Sequence, residues 1–359
     1  MNHRQFVLAL VVISGYACCT EEEPADDAGA SAELVYVTNE DSGDLSVIDS
    51  ASNEVVATIP IGKRPRGVRV SADGRTIYVA VSGSPKCPPW MSDEDCEAQT
   101  TDKSLDGIAV VDALERVVTH VLPGGSDPEQ FDISGDGKRL CVANEDAGLA
   151  TIVELDSREI VASIEVGEEP EGVRTSPDGK YFYVTGETDH NVTVIDTETS
   201  ERVAQITVGH RPRDAVFSSD STRAYVSSEI DGTVSVIDVH NHEVIETIAL
   251  PEHSRSMGLA VSPDDKLLYV ANGRSKTVSI IDLTTNEVIE TFEVGERPWG
   301  IGVSSDGKRL YTANGPSNDV SVVDTESLEV VARIAVGETP WGIASAPPPQ
   351  AKRTQLFSQ

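Results

Sequence analysis

Basic residues are scarce in this chain of 359 residues: 28 Lys and Arg stand against 60 Asp and Glu, a formal net charge of −32. A surface this acidic repels phosphate backbones, so nucleic acid is excluded as the expected partner, and cationic partners are favoured. Long apolar runs are missing as well. The one candidate, Phe6 to Ile13, is too short to cross a bilayer, which needs roughly 17–25 apolar residues. Nucleophile elbows of the Gly-x-Ser-x-Gly type, His-Glu-x-x-His, Cys-x-x-Cys and glycine-rich phosphate loops are all absent. Of the 7 histidines, His190, His210 and His253 fall in predicted top loops with no two at ligand spacing, and no metal site, cofactor or catalytic residue is assigned. No stretch sustains a helical period. Tryptophan is limited to 3 residues and cysteine to 5, so each of these positions carries information.

The start of the chain reads as an export signal. His3 and Arg4 precede the apolar run, and the small residues Ser14, Gly15 and Ala17 follow it. Ala17-Cys18 resembles the end of a bacterial lipobox, which makes Cys18 the expected lipidated residue. Cys19 competes for that role, Gly15 departs from the usual aliphatic residue, and plain secretion is the alternative. Residues 1–18 are therefore read as signal and 19–33 as an acidic tether, rich in Glu and small residues with nothing to bury. The expected location is the cell envelope, with membrane contact only through an N-terminal lipid.

The remainder is a repeat. Pro-x-Gly recurs at Pro65, Pro170, Pro298 and Pro340, with degenerate copies beginning at Pro128, Pro212 and Ser256. From Pro128 onward the steps are 42, 42, 44, 42 and 42 residues, whereas Pro65 to Pro128 spans 63. A period near 40–45 residues with β-rich segments marks propeller blades of four strands. One unit shows the strands: Leu259–Val261, Leu267–Asn272, Thr277–Asp282 and Val288–Val294, separated by turns rich in Pro, Asp, Asn and Gly. The repeat begins at Leu34 with a second strand and stops at Ala346 just after a first strand. Pairing the two ends closes a ring and removes its exposed edges. The expectation is thus an all-β, seven-bladed β-propeller over 34–346, four antiparallel strands per blade, with the C-terminal inner strand completing the blade of the three N-terminal strands. An insertion at 83–106 and a tail at 347–359 complete the chain.

Tyr36-Val37-Thr38-Asn39, Tyr269-Val270-Ala271-Asn272, Ser235-Val236-Ile237-Asp238 and Ser176-Pro177-Asp178-Gly179 resemble the YVTN β-propeller repeat family from Leu34 to Ala346. That resemblance implies the fold. For function it implies only a range: surface-layer and periplasmic proteins, proteins linked to quinone-dependent alcohol oxidation, and more distant lactonase, haem and copper propellers.

Loops from strand two to three, and from strand four to the next blade, share one face, here termed the top. The residues flanking the seven repeat positions rim the channel there. They form an acidic sector (Asp127, Glu129, Glu169, Glu171) and a basic one (Arg211, Arg213, Arg255, Arg297). The simplest expectation is that adjacent blades pair these charges as exposed salt bridges, worth ~0–1 kcal/mol each. A rim that binds a zwitterion or a partner's loop is the alternative. All three tryptophans map to the top face. Trp299 and Trp341 begin neighbouring inner strands and Trp90 sits in the insertion, so an aromatic arc flanked by Arg66 and Arg297 is the candidate ligand site. Blade packing by repeated tryptophans is the competing reading. Cys87 and Cys96 lie in the same inserted loop of an exported chain and are expected to form a disulfide. Cys141 replaces the tyrosine of other blades and is expected to be a buried free thiol, while His240 and His242 are expected to be solvated on the bottom face. Two functions follow: a scaffold binding an unidentified small molecule or protein on its top face, or a periplasmic enzyme or redox accessory, lactonase-like or linked to alcohol oxidation.

Overall fold

The computed structural model describes residues 33–86 and 101–349. Twenty-eight strands form seven four-stranded antiparallel sheets. The blade at the seam consists of Pro340–Ala346, Leu34–Asn39, Asp44–Asp49 and Glu54–Pro60, and the other six run in simple chain order. Closure follows the expected register, with Val35 opposite Ser345 and Tyr36 opposite Ala344. All six residues of Leu34–Asn39 are buried, because this strand is paired on both sides and covered by adjacent blades. Among the described residues the only helical turns are Lys103–Leu105 and Glu145–Ala147.

The motif residues have direct structural reasons. A Cβ on Gly300 would lie 2.4 Å from the carbonyl oxygen of Trp341, and one on Gly172 would lie 2.4 Å from that of Arg213. The inner strands therefore approach each other more closely than a side chain at this position allows, and glycine is retained there. The Ser-x-Asp turns of the bottom face are closed by side-chain bonds, such as Ser176 Oγ donating to Asp178 Oδ1 at 2.7 Å. These turns need no metal to explain them. Between blades, β-branched residues pack around a tyrosine from the second strand in six of the seven blades. Tyr36, Tyr183, Tyr225, Tyr269 and Tyr311 are among the largest fully buried side chains. Cys141 takes the same position in its blade, buried and free, and burial pushes its thiol well above the ordinary range.

Candidate functional site

Three rings of side chains converge on the top of the channel. The first ring immediately precedes the inner strands: Arg64, Asp127, Glu169, Arg211, Arg255, Arg297 and Thr339. Every one has left-handed backbone, with φ from 46° to 59°. Positive φ is uncommon away from glycine, and six of these residues precede proline, so the same unfavourable conformation is imposed seven times. The second ring follows the repeat proline. The third lies outside the proline register: it is the residue after each second strand, Glu40, Glu145, Glu187 and Glu229, with Ser82, Gly273 and Gly315 in the other three blades. The first and third rings are tied by backbone bonds, such as Glu229 N–H to Arg211 O at 2.9 Å and Glu187 N–H to Glu169 O at 3.0 Å.

Several of these charges pair between blades, and the pairs centred on Arg66 and Arg213 are buried rather than exposed. Arg66, 4% exposed in its side chain, contacts Asp127 at 2.6 Å, Glu145 at 3.5 Å, and also Glu129. Arg64 reaches Glu40 at 3.1 Å, and Lys86, at the described end of the insertion, reaches Glu40 at 3.0 Å. Across the funnel Arg213, 8% exposed, holds Glu171 at 2.6 Å and Glu229 at 2.7 Å, and joins Arg211 on Glu187. The expectation of exposed salt bridges is corrected: the inner strands sit below the rim loops, and the funnel walls shield the pairs from water.

Burial leaves its mark on titration. Burial, followed by the neighbouring Glu171, pushes Glu187 up to about 8 against the pull of Arg213 and Arg211. Burial likewise pushes Glu145 up to about 7 against Arg66. For Glu229 burial is overcome by Arg213 and Arg211, which hold it below the usual range. Arg213 is raised despite its burial, because three carboxylates surround it. Glu187 is thus able to keep a proton near neutrality.

Trp299 and Trp341 meet on the same wall, ring centroids 5.7 Å apart and 33° between planes. Trp341 is 6% exposed and Trp299 half-buried, yet both line the funnel. The Arg297 guanidinium lies 4.9 Å from the Trp299 ring centroid and that of Arg213 lies 5.5 Å from it. The funnel encloses about 1240 Å³ and is open to solvent. Below it a narrow channel of about 30 Å³ is crossed by buried charges: Arg69 pairs with Asp132 at 2.9 Å, and Arg174 with Asp214 at 3.2 Å. These pairs narrow the channel into a floor.

Of the residues singled out in the sequence, Arg66, Arg297, Trp299 and Trp341 share this funnel. The Arg66 charge is already committed to carboxylates, which leaves Arg297 as the expected cation with capacity for a ligand. Trp90, Cys87, Cys96 and Cys18 lie outside the described residues. His190 and His210, which sequence spacing kept apart, come within 4.5 Å centroid to centroid, with Asp231 3.0 Å from His210 Nδ1. Even so, no group of three or more potential metal ligands forms among the described residues. His242 is not simply solvated: it packs edge-on against Tyr181 at 4.9 Å and lies 3.1 Å from the Tyr183 hydroxyl.

The family model for a seven-bladed β-propeller lactonase matches residues 197–331, less than half of the chain. No curated protein matches the sequence. Solved structures share the fold. A functionally unknown protein from Desulfotomaculum acetoxidans superposes with a TM-score of 0.72 at 14% identity, covering 88% of this chain and 100% of its own. Hydrazine synthase from Kuenenia stuttgartiensis gives 0.68 at 20% identity, covering 88% and 100%. A candidate 6-phosphogluconolactonase from Bacteroides fragilis gives 0.69 at 20%, covering 90% and 100%. At such identities the likeness is one of fold. Membership of the YVTN repeat family rests on the motifs alone; the chain is a seven-bladed, four-stranded β-propeller, similar in part to the lactonase propellers.

Proposed function

We propose that this protein is an exported binding propeller, held at the cell envelope through Cys18 and its acidic tether, that takes a small polar ligand into its top-face funnel. The observation that carries this reading is the Trp299–Trp341 pair on the wall of an open funnel, with Arg297 over one indole. An aromatic wall offers apolar contact at low entropic cost, and the guanidinium beside it orients a polar group. The test is a ligand screen by tryptophan fluorescence quenching, followed by Trp341→Ala. The substitution is expected to cost ~2 kcal/mol in affinity, roughly thirtyfold, in a protein that still folds, with a lowered melting temperature as well because Trp341 is buried. A lowered melting temperature with unchanged affinity would assign the tryptophans to blade packing instead.

A second reading, lactone hydrolysis in the same funnel, is favoured by the raised Glu145 and Glu187 and by the lactonase match over 197–331. Glu145 would take the proton of an attacking water, and protonated Glu187 would return one to the ring oxygen as the acyl C–O bond breaks. Hydroxy-acid release from a lactone panel in a pH-stat, lost in Glu187→Gln, would establish it; no turnover in the wild-type protein would remove it.

A further inference from the structure

Beside the funnel lies a groove of about 860 Å³ lined by Arg211, Arg255, Arg274, Arg297, Glu229 and Met257, among others. Four of the chain's 28 basic residues therefore meet in one place on a protein of net charge −32. Their partners are unevenly distributed. Arg211 is held by Glu187 and lies 3.6 Å from Glu229, and Glu229 is itself taken by Arg213 at 2.7 Å. Arg255, Arg274 and Arg297 form no ion pair among the described residues. The third ring explains why. Rim arginines elsewhere face a glutamate of the preceding blade, as Arg64 faces Glu40 and Arg211 faces Glu187. Arg297 faces Gly273 instead, and Glu229, which precedes Arg255, is occupied by Arg213.

From this we infer that the groove is an anion site for a small molecule bearing two or more carboxylates. Guanidiniums without a carboxylate in ion-pair contact draw anions to this sector of an acidic protein. Arginine, unlike lysine, presents a planar fork that matches a carboxylate with two parallel hydrogen bonds. The guanidiniums arise from separate loops along the groove, so they suit spaced, planar groups better than one compact tetrahedral ion. A phosphate cradle is not provided. The lining contains no serine, threonine or lysine, and the amides of Gly273 and Arg274 already donate to Arg255 O at 2.9 Å and Ser254 O at 3.3 Å. Arg211 and Arg297 also line the funnel, so the rest of such a ligand would lie on Trp299. That extension rests on the funnel reading, whereas the anion affinity of the groove does not.

The experiment is calorimetric titration of the full exported chain with citrate at low ionic strength, in parallel with inorganic phosphate. Saturable citrate binding that weakens with added salt is expected, with phosphate at least tenfold weaker. The double variant Arg255→Gln with Arg274→Gln should lose tenfold or more of the citrate affinity at an unchanged melting temperature. Arg255→Lys with Arg274→Lys, keeping the charge but not the fork, should lose less. A charge-matched control on the bottom face, Lys138→Gln with Lys308→Gln, should bind as wild type. Absence of saturable citrate binding, phosphate binding as tight as citrate, or an equal loss in the bottom-face control would each overturn the proposal. Trp341→Ala separates the two sites. Citrate binding lost in the arginine variant but kept in Trp341→Ala supports the groove without the funnel. A screened ligand lost in Trp341→Ala, in a protein that shows no saturable citrate binding, supports the funnel and removes the groove.

Discussion

Replacing Arg213 by methionine removes the one cation that, among the described residues, touches Glu171, Glu187 and Glu229 together. Methionine keeps much of the stem but removes the guanidinium from the Trp299 ring and leaves three carboxylates facing one another, with Arg211 alone for Glu187 and Glu229. Breaking a buried ion pair in this way costs about 3–5 kcal/mol, because the orphaned charges stay desolvated. At roughly 2 °C per kcal/mol for a domain of this size, the melting temperature should fall by about 6–10 °C at pH 8. The loss should depend on pH. In the wild-type protein Glu187 is raised from 4.5 to about 8, so its ionisation opposes folding. Its contribution is most favourable below the unfolded value and is lost as pH rises through about 8. Without Arg213 the carboxylates hold their protons more tightly still, so at pH 5.5 part of the cluster is neutral and most of the loss should be recovered. Glu187→Gln added to Arg213→Met should recover stability at pH 8 as well. Thermal melts by circular dichroism at the two pH values decide the matter. An equal loss at pH 8 and pH 5.5, or no loss at pH 8, would refute the buried cluster as described.

Ending the chain after Gly337 removes strand Pro340–Ala346 and exposes the backbone edge of Leu34–Asn39, so cooperative thermal unfolding should be lost or sharply lowered; an unchanged melting temperature would contradict ring closure. Gly300→Ala forces a methyl against the Trp341 carbonyl and should destabilise by about 1–3 kcal/mol in chemical denaturation, with weaker funnel binding through a displaced Trp341. Titration of thiols in the native protein should find Cys87 and Cys96 unreactive as a disulfide, and Cys141 should react only after unfolding; reactive Cys87 and Cys96 under native, oxidising conditions would remove the bridge.

The ring was legible because the propeller writes its period into backbone requirements. Glycine recurs at positions such as Gly172 and Gly300, where a facing carbonyl excludes a Cβ, and the strand ends at Leu34 and Ala346 declare the closure. Which residues reach the top face was legible too, as Trp299, Trp341, Arg66 and Arg297 share the funnel. Depth was not. Spacing along the chain places Arg66 and Arg213 on the rim but cannot show that inner-strand twist and the overlying loops bury them. The glutamates at 40, 145, 187 and 229 follow the Asn, Gly or Ser that ends each second strand, a periodic signal available in the sequence but outside the proline register. The meeting of His190 with His210 joins loops of adjacent blades, and only the angle between blades determines it.

The most direct measurement of the central claim is a crystal structure of the protein with the first ligand recovered from the fluorescence screen. Ligand density against Trp299 and Trp341, inside the funnel walled by Arg211 and Arg297, is the expected result. Density confined to the bottom face or to the outer strands of the blades, with the funnel holding only solvent, would contradict it.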